Sequence, residues 1–138
     1  MKKISPPPLT KLRRLVLELL VQAKEPIKAY DLLEIIQRKG GPRLTPSTIY
    51  RILEYLENQG LIHRVNSLAA YVACDQGLAD CHSFLVVCPL CFKTTEINDA
   101  KLYHSIFDRL SDLGLAESLG GAEIRGVCPQ CATNQATP

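Results

Sequence analysis

A chain of 138 residues that is 46% hydrophobic can bury one ordinary core or two small ones, which excludes a wholly disordered polymer. The formal net charge is only +2, but it is unevenly spread: residues 1–66 carry 12 Lys/Arg against 6 Asp/Glu (+6), and residues 67–138 carry 4 against 8 (−4). A basic front half fits a polyanion and an acidic back half fits another task, although ordinary surface variation is the alternative that charge alone leaves open. Pro6-Pro7-Pro8 stands where a secretory signal would have its apolar run, and Leu15 to Val21 is too short to span a bilayer, so a cytoplasmic location is expected. Six cysteines in that reducing compartment read as metal ligands rather than as a disulfide framework.

In chain order, Leu12, Leu15, Val16, Leu19 and Leu20 recur at helical spacing and predict a first helix over about 10–21, with Thr10 as its N-cap. A second helix is predicted over 29–39, with Leu32, Leu33, Ile35 and Ile36 as its apolar stripe and Gly40-Gly41-Pro42 as its stop. Thr45-Pro46 has the cap and first-position chemistry of a third helix, 46–59, with Ile49, Ile52, Leu53 and Leu56 facing inward and Gly60 ending it. Strands are expected at 62–65 and 70–74. Three helices followed by a hairpin is the layout of a winged helix-turn-helix, here spanning residues 1–74.

A polar hinge is expected at 75–81, and a second domain at 82–138. Strands are predicted at 83–88, 93–97 and 122–127. A helix at 99–113, capped by Asn98 and stopped by Gly114, lies between the last two and carries Leu102, Ile106, Leu110 and Leu113 on one face. The fold class is therefore α+β: a winged-helix front and a small β-β-α-β back.

Cys88-Pro89-Leu90-Cys91 and Cys128-Pro129-Gln130-Cys131 form two C-x2-C pairs, separated by residues 92–127. Two such pairs supply four thiolates, the donor set of a structural zinc. Two redox motifs, or buried thiols, are the alternative. His63, Cys74, Cys81, His82, Glu96 and His104 are further candidate ligands by residue type. His63 lies in the predicted wing, Cys74 at the hinge, and His82 and Glu96 in the back domain. A metal bound by such a set would fix the angle between the domains and couple metal occupancy to DNA affinity.

The segment from Thr45 to Ile62, with Pro46-Ser47-Thr48-Ile49-Tyr50-Arg51-Ile52-Leu53 inside it, and the two C-x2-C pairs resemble the ferric uptake regulator family, and within it the zinc-sensing branch. The resemblance covers about residues 9 to 131. It implies a structural zinc on Cys88, Cys91, Cys128 and Cys131, and a regulatory zinc on His63, Cys74, His82 and Glu96, two zinc ions per subunit in all. Cys81 is an alternative ligand or a spare thiol, and His104 has no counterpart in the branch. Iron and peroxide sensors of the family carry an H-H-x-H run before the first C-x2-C; Ala79-Asp80-Cys81-His82-Ser83 has one histidine, and the Cys74 thiolate favours zinc over harder metals.

The implied function is a zinc-responsive repressor that binds a near-palindromic double-stranded operator as a homodimer and controls zinc-uptake genes. Its subunits would pair through strand edges and the 99–113 helix. Arg51 is the expected base reader, with Ser47, Thr48, Tyr50 and Tyr30 beside it. Arg13, Arg14, Lys11, Lys28 and Arg64 are expected on phosphates. Core packing is the competing role for Tyr50. A family sibling sensing another metal, a thiol-oxidation switch and a zinc-dependent enzyme are the alternative functions. The absence of H-E-x-x-H and of H-x-E…P-C-x-x-C argues for a non-enzyme.

Overall fold

The computed structural model describes residues 8–74, 83–115 and 122–136. The chain divides into two compact units, Met1–Cys81 and His82–Pro138. The expected 75–81 hinge lies outside the described residues.

The first unit holds α1 (Lys11–Ala23), α2 (Ala29–Arg38), α3 (Pro46–Asn58), β1 (Ile62–Val65) and β2 (Ala70–Ala73). Thr10 caps α1 by accepting from the Arg13 N–H, and Thr45 caps α3 by accepting from the Thr48 N–H. Helices α2 and α3 end alike. Gly60 N–H donates to Glu57 O and Leu61 N–H to Leu56 O; Gly40 N–H donates to Gln37 O and Gly41 N–H to Ile36 O. This paired closure needs a left-handed residue, and Gly60, at φ +73°, supplies it after α3. At Gly41 the constraint is space, since a Cβ would meet Ile36 Cγ2 at 2.7 Å.

The three helical stripes meet in one core of Val16, Leu19, Leu20, Leu32, Ile36, Ile49, Ile52, Leu53 and Leu56, closed by Leu61, Ile62 and Tyr71. Antiparallel β1 and β2 pair Ile62 with Ala73 and Val65 with Ala70 across a 3-10 turn at Asn66–Leu68. Ile27 adds a one-residue bridge to Tyr71, its N–H donating to Tyr71 O at 2.8 Å and its carbonyl accepting at 2.9 Å. A single paired residue beside Pro26 leaves no periodicity to read, so the bridge is invisible in the sequence.

The second unit holds β3 (Ser83–Val87), β4 (Thr94–Asn98), α4 (Ala100–Asp112), β5 (Ala122–Arg125) and α5 (Pro129–Ala136). Its sheet order is β4-β3-β5, with β3 antiparallel to β4 and parallel to β5. Strand β4 starts and ends one residue later than expected: the Lys93 carbonyl is taken by the Cys88 N–H, and Asn98 pairs with Ser83. Asp99 rather than Asn98 therefore caps α4, accepting from the Leu102 N–H at 3.0 Å. The terminal α5 was not anticipated. Its signal was Pro129 at the first helical position, which reads equally as part of a cysteine turn.

Candidate metal centre and nucleic-acid interface

The parallel pairing of β3 with β5 builds the metal centre. Val87 lies opposite Arg125, so both strands leave the sheet at the same end. Cys88 follows Val87 directly, and Cys128 lies three residues past Arg125, so 36 intervening residues separate the two pairs in sequence but not in space. The first pair sits on a tight turn: Phe92 N–H donates to Cys88 O, and Cys88 N–H to Lys93 O, both at 2.9 Å. The second pair straddles the start of α5, where the Cys128 sulfur accepts from the Cys131 N–H at 3.5 Å, as a capping oxygen would.

The four sulfurs of Cys88, Cys91, Cys128 and Cys131 all lie within 4.8 Å of one another, and those of Cys91 and Cys128 are 3.7 Å apart. A tetrahedron with zinc–sulfur bonds of about 2.3 Å has edges of about 3.8 Å, so the donor set fits zinc in spacing and in chemistry. None of these cysteines forms a disulfide. Backbone N–H groups, of Cys128 first and then of Cys91, pull the Cys88 thiol down to about 6. The Cys131 N–H lowers Cys128, whereas Cys131 is pushed up to about 12 because its proton is held toward the Cys128 sulfur. Cys88 and Cys128 are thus the thiols readiest to give up a proton to a dication.

The other expected ligands are placed unit by unit. His63 is half-buried on β1, and Cys74 is half-buried just past β2, its N–H donating to Leu61 O at 3.0 Å. Their ligating atoms lie within 4.8 Å of each other. In the second unit Glu96 is half-buried on β4 and accepts a hydrogen bond from the Ser83 hydroxyl at 2.5 Å. Ser83 was not picked out by residue type, because serine is a common surface residue; only its burial gives it meaning. His82 and the alternative ligand Cys81 lie outside the described residues. His104 is exposed on α4, edge-on to the Tyr103 ring.

On the first unit, the N-terminal part of α3 presents Ser47, Tyr50 and Arg51 to solvent, while Ile49, Ile52 and Leu53 point inward. Tyr50 is 46% exposed and Tyr30, at the start of α2, is 63% exposed, so neither ring is a core residue. Thr48 is half-buried, and its hydroxyl lies 2.9 Å from that of Thr45 within the cap. Arg14, Lys11, Lys28 and Arg64 are exposed. Arg13 is half-buried, with its guanidinium 3.5 Å from the centre of the Tyr55 ring, a contact the sequence reading missed because the pair is remote in sequence.

Among known proteins, the model of the ferric uptake regulator family matches residues 8–116. The zinc uptake regulation protein of Escherichia coli K12 is 31% identical over 129 residues, spanning 93% of this chain and 75% of its own length. A zinc uptake regulator complexed with zinc and DNA is similar at TM-score 0.78 and 29% identity, over 94% of this chain and 86% of that one. Holo XcZur is similar at TM-score 0.75 and 30% identity, over 91% and 86%. The iron-bound ferric uptake regulator of Francisella tularensis, at 19% identity and TM-score 0.59, shares the fold. The chain belongs to the ferric uptake regulator family, in its zinc uptake regulator branch.

Proposed function

We propose that this protein is a cytoplasmic, zinc-responsive repressor that binds a palindromic DNA operator as a homodimer and turns down zinc-uptake genes when zinc is plentiful. The observation that carries this reading is a four-cysteine cluster in the same chain as a helix whose exposed end offers Ser47, Tyr50 and Arg51. The likeness to a relative complexed with zinc and DNA supports both halves. No helix among the described residues is long and apolar enough to cross a membrane, in keeping with a DNA-binding role.

Each subunit would hold two zinc ions. One sits on Cys88, Cys91, Cys128 and Cys131 and is structural, because four thiolates complete a tetrahedron and leave no position for water or substrate. That closed set also weighs against the zinc-enzyme alternative. The other is held by His63, Cys74, His82 and Glu96, a mixed sulfur, nitrogen and oxygen set that suits zinc. The proximity of His63 to Cys74 and the half-burial of Glu96 support this assignment. In sequence these ligands fall on both sides of residues 75–81, the proposed hinge. Zinc would thereby favour the arrangement that binds DNA, and operator DNA must tighten that zinc by the same factor.

Arg51 would read base edges, with Tyr30, Ser47, Thr48 and Tyr50 around it, and Arg14, Lys11, Lys28 and Arg64 would hold phosphates. Arg13 would contribute through its packing on Tyr55 as well as its charge. Dimerisation would use the outward stripe of α4, where Leu102 is 42% and Ile106 is 38% exposed, together with the edges of the β4-β3-β5 sheet.

The test is operator binding across a buffered free-zinc series, comparing the wild type with Cys74→Ser. Wild-type affinity is expected to climb with zinc while the folded variant stays weak. Equal binding by the two proteins at every zinc level would overturn the regulatory role and leave zinc purely structural.

A further inference from the structure

Ser83 is the one residue of polar type in the buried class among the described residues, at 8% exposure. Its strand neighbours on the same face, Leu85 and Val87, are buried and apolar, so a hydroxyl interrupts an apolar alternation. The sheet register explains its position. Ser83 lies opposite Asn98 and Leu85 opposite Glu96, which makes Ser83 and Glu96 diagonal neighbours on one face. The Ser83 hydroxyl donates to Oε1 of Glu96 at 2.5 Å, a short charge-assisted bond from a buried group on the central strand to a carboxylate on an edge strand.

We propose that Ser83 is a positioning residue that fixes Glu96 as a one-oxygen ligand and thereby sets the coordination number of the regulatory site. The proposal rests on the reading of Glu96 as a ligand. The hydroxyl engages Oε1, which removes the freedom of the carboxylate to swing and weakens Oε1 as a donor, leaving Oε2 as the stronger one. A carboxylate held in this way contributes one bond, which suits a four-coordinate site. A carboxylate free to clasp through both oxygens would suit cations that take five or six ligands. Ser83 therefore acts on metal choice through Glu96.

The test uses full-length protein with its four-cysteine site filled, titrated with a second equivalent of zinc in competition with a chelator, and in parallel with cobalt(II) read by its visible spectrum. The variants are Ser83→Ala, Ser83→Thr, Glu96→Gln and Ser83→Ala/Glu96→Gln, each checked for fold by circular dichroism. Ser83→Ala is expected to weaken the second zinc about tenfold, the lower end for loss of a partner to a metal ligand. It is also expected to dim the intense bands of four-coordinate cobalt, with Ser83→Thr restoring both. In the Glu96→Gln background, Ser83→Ala should add nothing, because its effect runs through the carboxylate. Wild-type affinity and spectrum in Ser83→Ala, alongside a weakened Glu96→Gln, would overturn the role of Ser83 while keeping Glu96 as a ligand. An equal loss from Ser83→Ala in both backgrounds would also overturn it, by showing a merely structural effect. An unweakened Glu96→Gln would remove the underlying assignment of Glu96 itself.

Discussion

Phe92 holds a left-handed backbone, φ +66°, inside the turn that carries Cys88 and Cys91, and its ring is 56% exposed. A non-glycine residue there costs about 1–2 kcal/mol, partly offset by the greater chain entropy that glycine loses on folding. Phe92→Gly is expected to raise the unfolding free energy of the zinc-loaded protein by about 0.5–1 kcal/mol, read from urea transitions. A loss of stability would mean that the ring has a binding partner. At the other unit, Arg51→Ala should weaken operator binding by about 1–3 kcal/mol and relax preference at one base position. Arg14→Ala should weaken all sequences alike and lower the salt slope by about one. Competition binding against a panel of single-base variants at two salt concentrations separates these outcomes; an unchanged base preference in Arg51→Ala would remove it as a reader. Sequence alone found the four cysteines, because they are one chemical type in fixed spacing. It did not find Ser83 or the Arg13–Tyr55 stack, which depend on the partner that folding supplies.

At the scale of elements, α3 depends on its first turn. Thr45 accepts from the Thr48 N–H and its hydroxyl lies within 3.3 Å of that of Ser47 and 2.9 Å of that of Thr48, so the cap orders the residues that would meet DNA. Thr45→Ala should cost about 1 kcal/mol of stability. It should also weaken operator binding with no change in metal content, because the reading end frays. Chemical denaturation and metal analysis on one preparation test this, and unaltered binding would show that DNA itself orders the turn. Helix α4 behaves differently. Tyr103 packs near Phe84 with ring centres 5.8 Å apart, whereas Leu102, Ile106 and Leu113 stay exposed. Its periodicity was legible, but a stripe predicted from periodicity does not say whether its partner is the same chain or another.

At the scale of the molecule, the two units are stabilised unequally. The first has a core gathered from three helices and a hairpin. In the second, the buried apolar residues among those described are Phe84, Leu85, Val87 and Cys88, little for 57 residues. Zinc held by the four-cysteine centre would add stability by tying the end of β3 to the start of α5. Removing zinc with a strong chelator, or replacing Cys128 with serine, should therefore unfold the second unit and leave the helices of the first. Limited proteolysis should then clear fragments beyond residue 82 while circular dichroism retains most helical signal. A second unit that stays protease-resistant without metal would assign the centre a regulatory rather than a structural part.

The sequence by itself determined helices α1 to α4, the winged hairpin and the four cysteines, because side-chain periodicity, capping residues and C-x2-C spacing are local properties carried by neighbouring residues. Tertiary structure decided what is not local. The parallel β3–β5 pairing brings two cysteine pairs separated by 36 intervening residues to one end of a sheet. The β3–β4 register sets Ser83 diagonally beside Glu96 and moves the α4 cap from Asn98 to Asp99. A strand's partner and register are fixed by which faces bury together, and that choice is made only when the whole chain condenses.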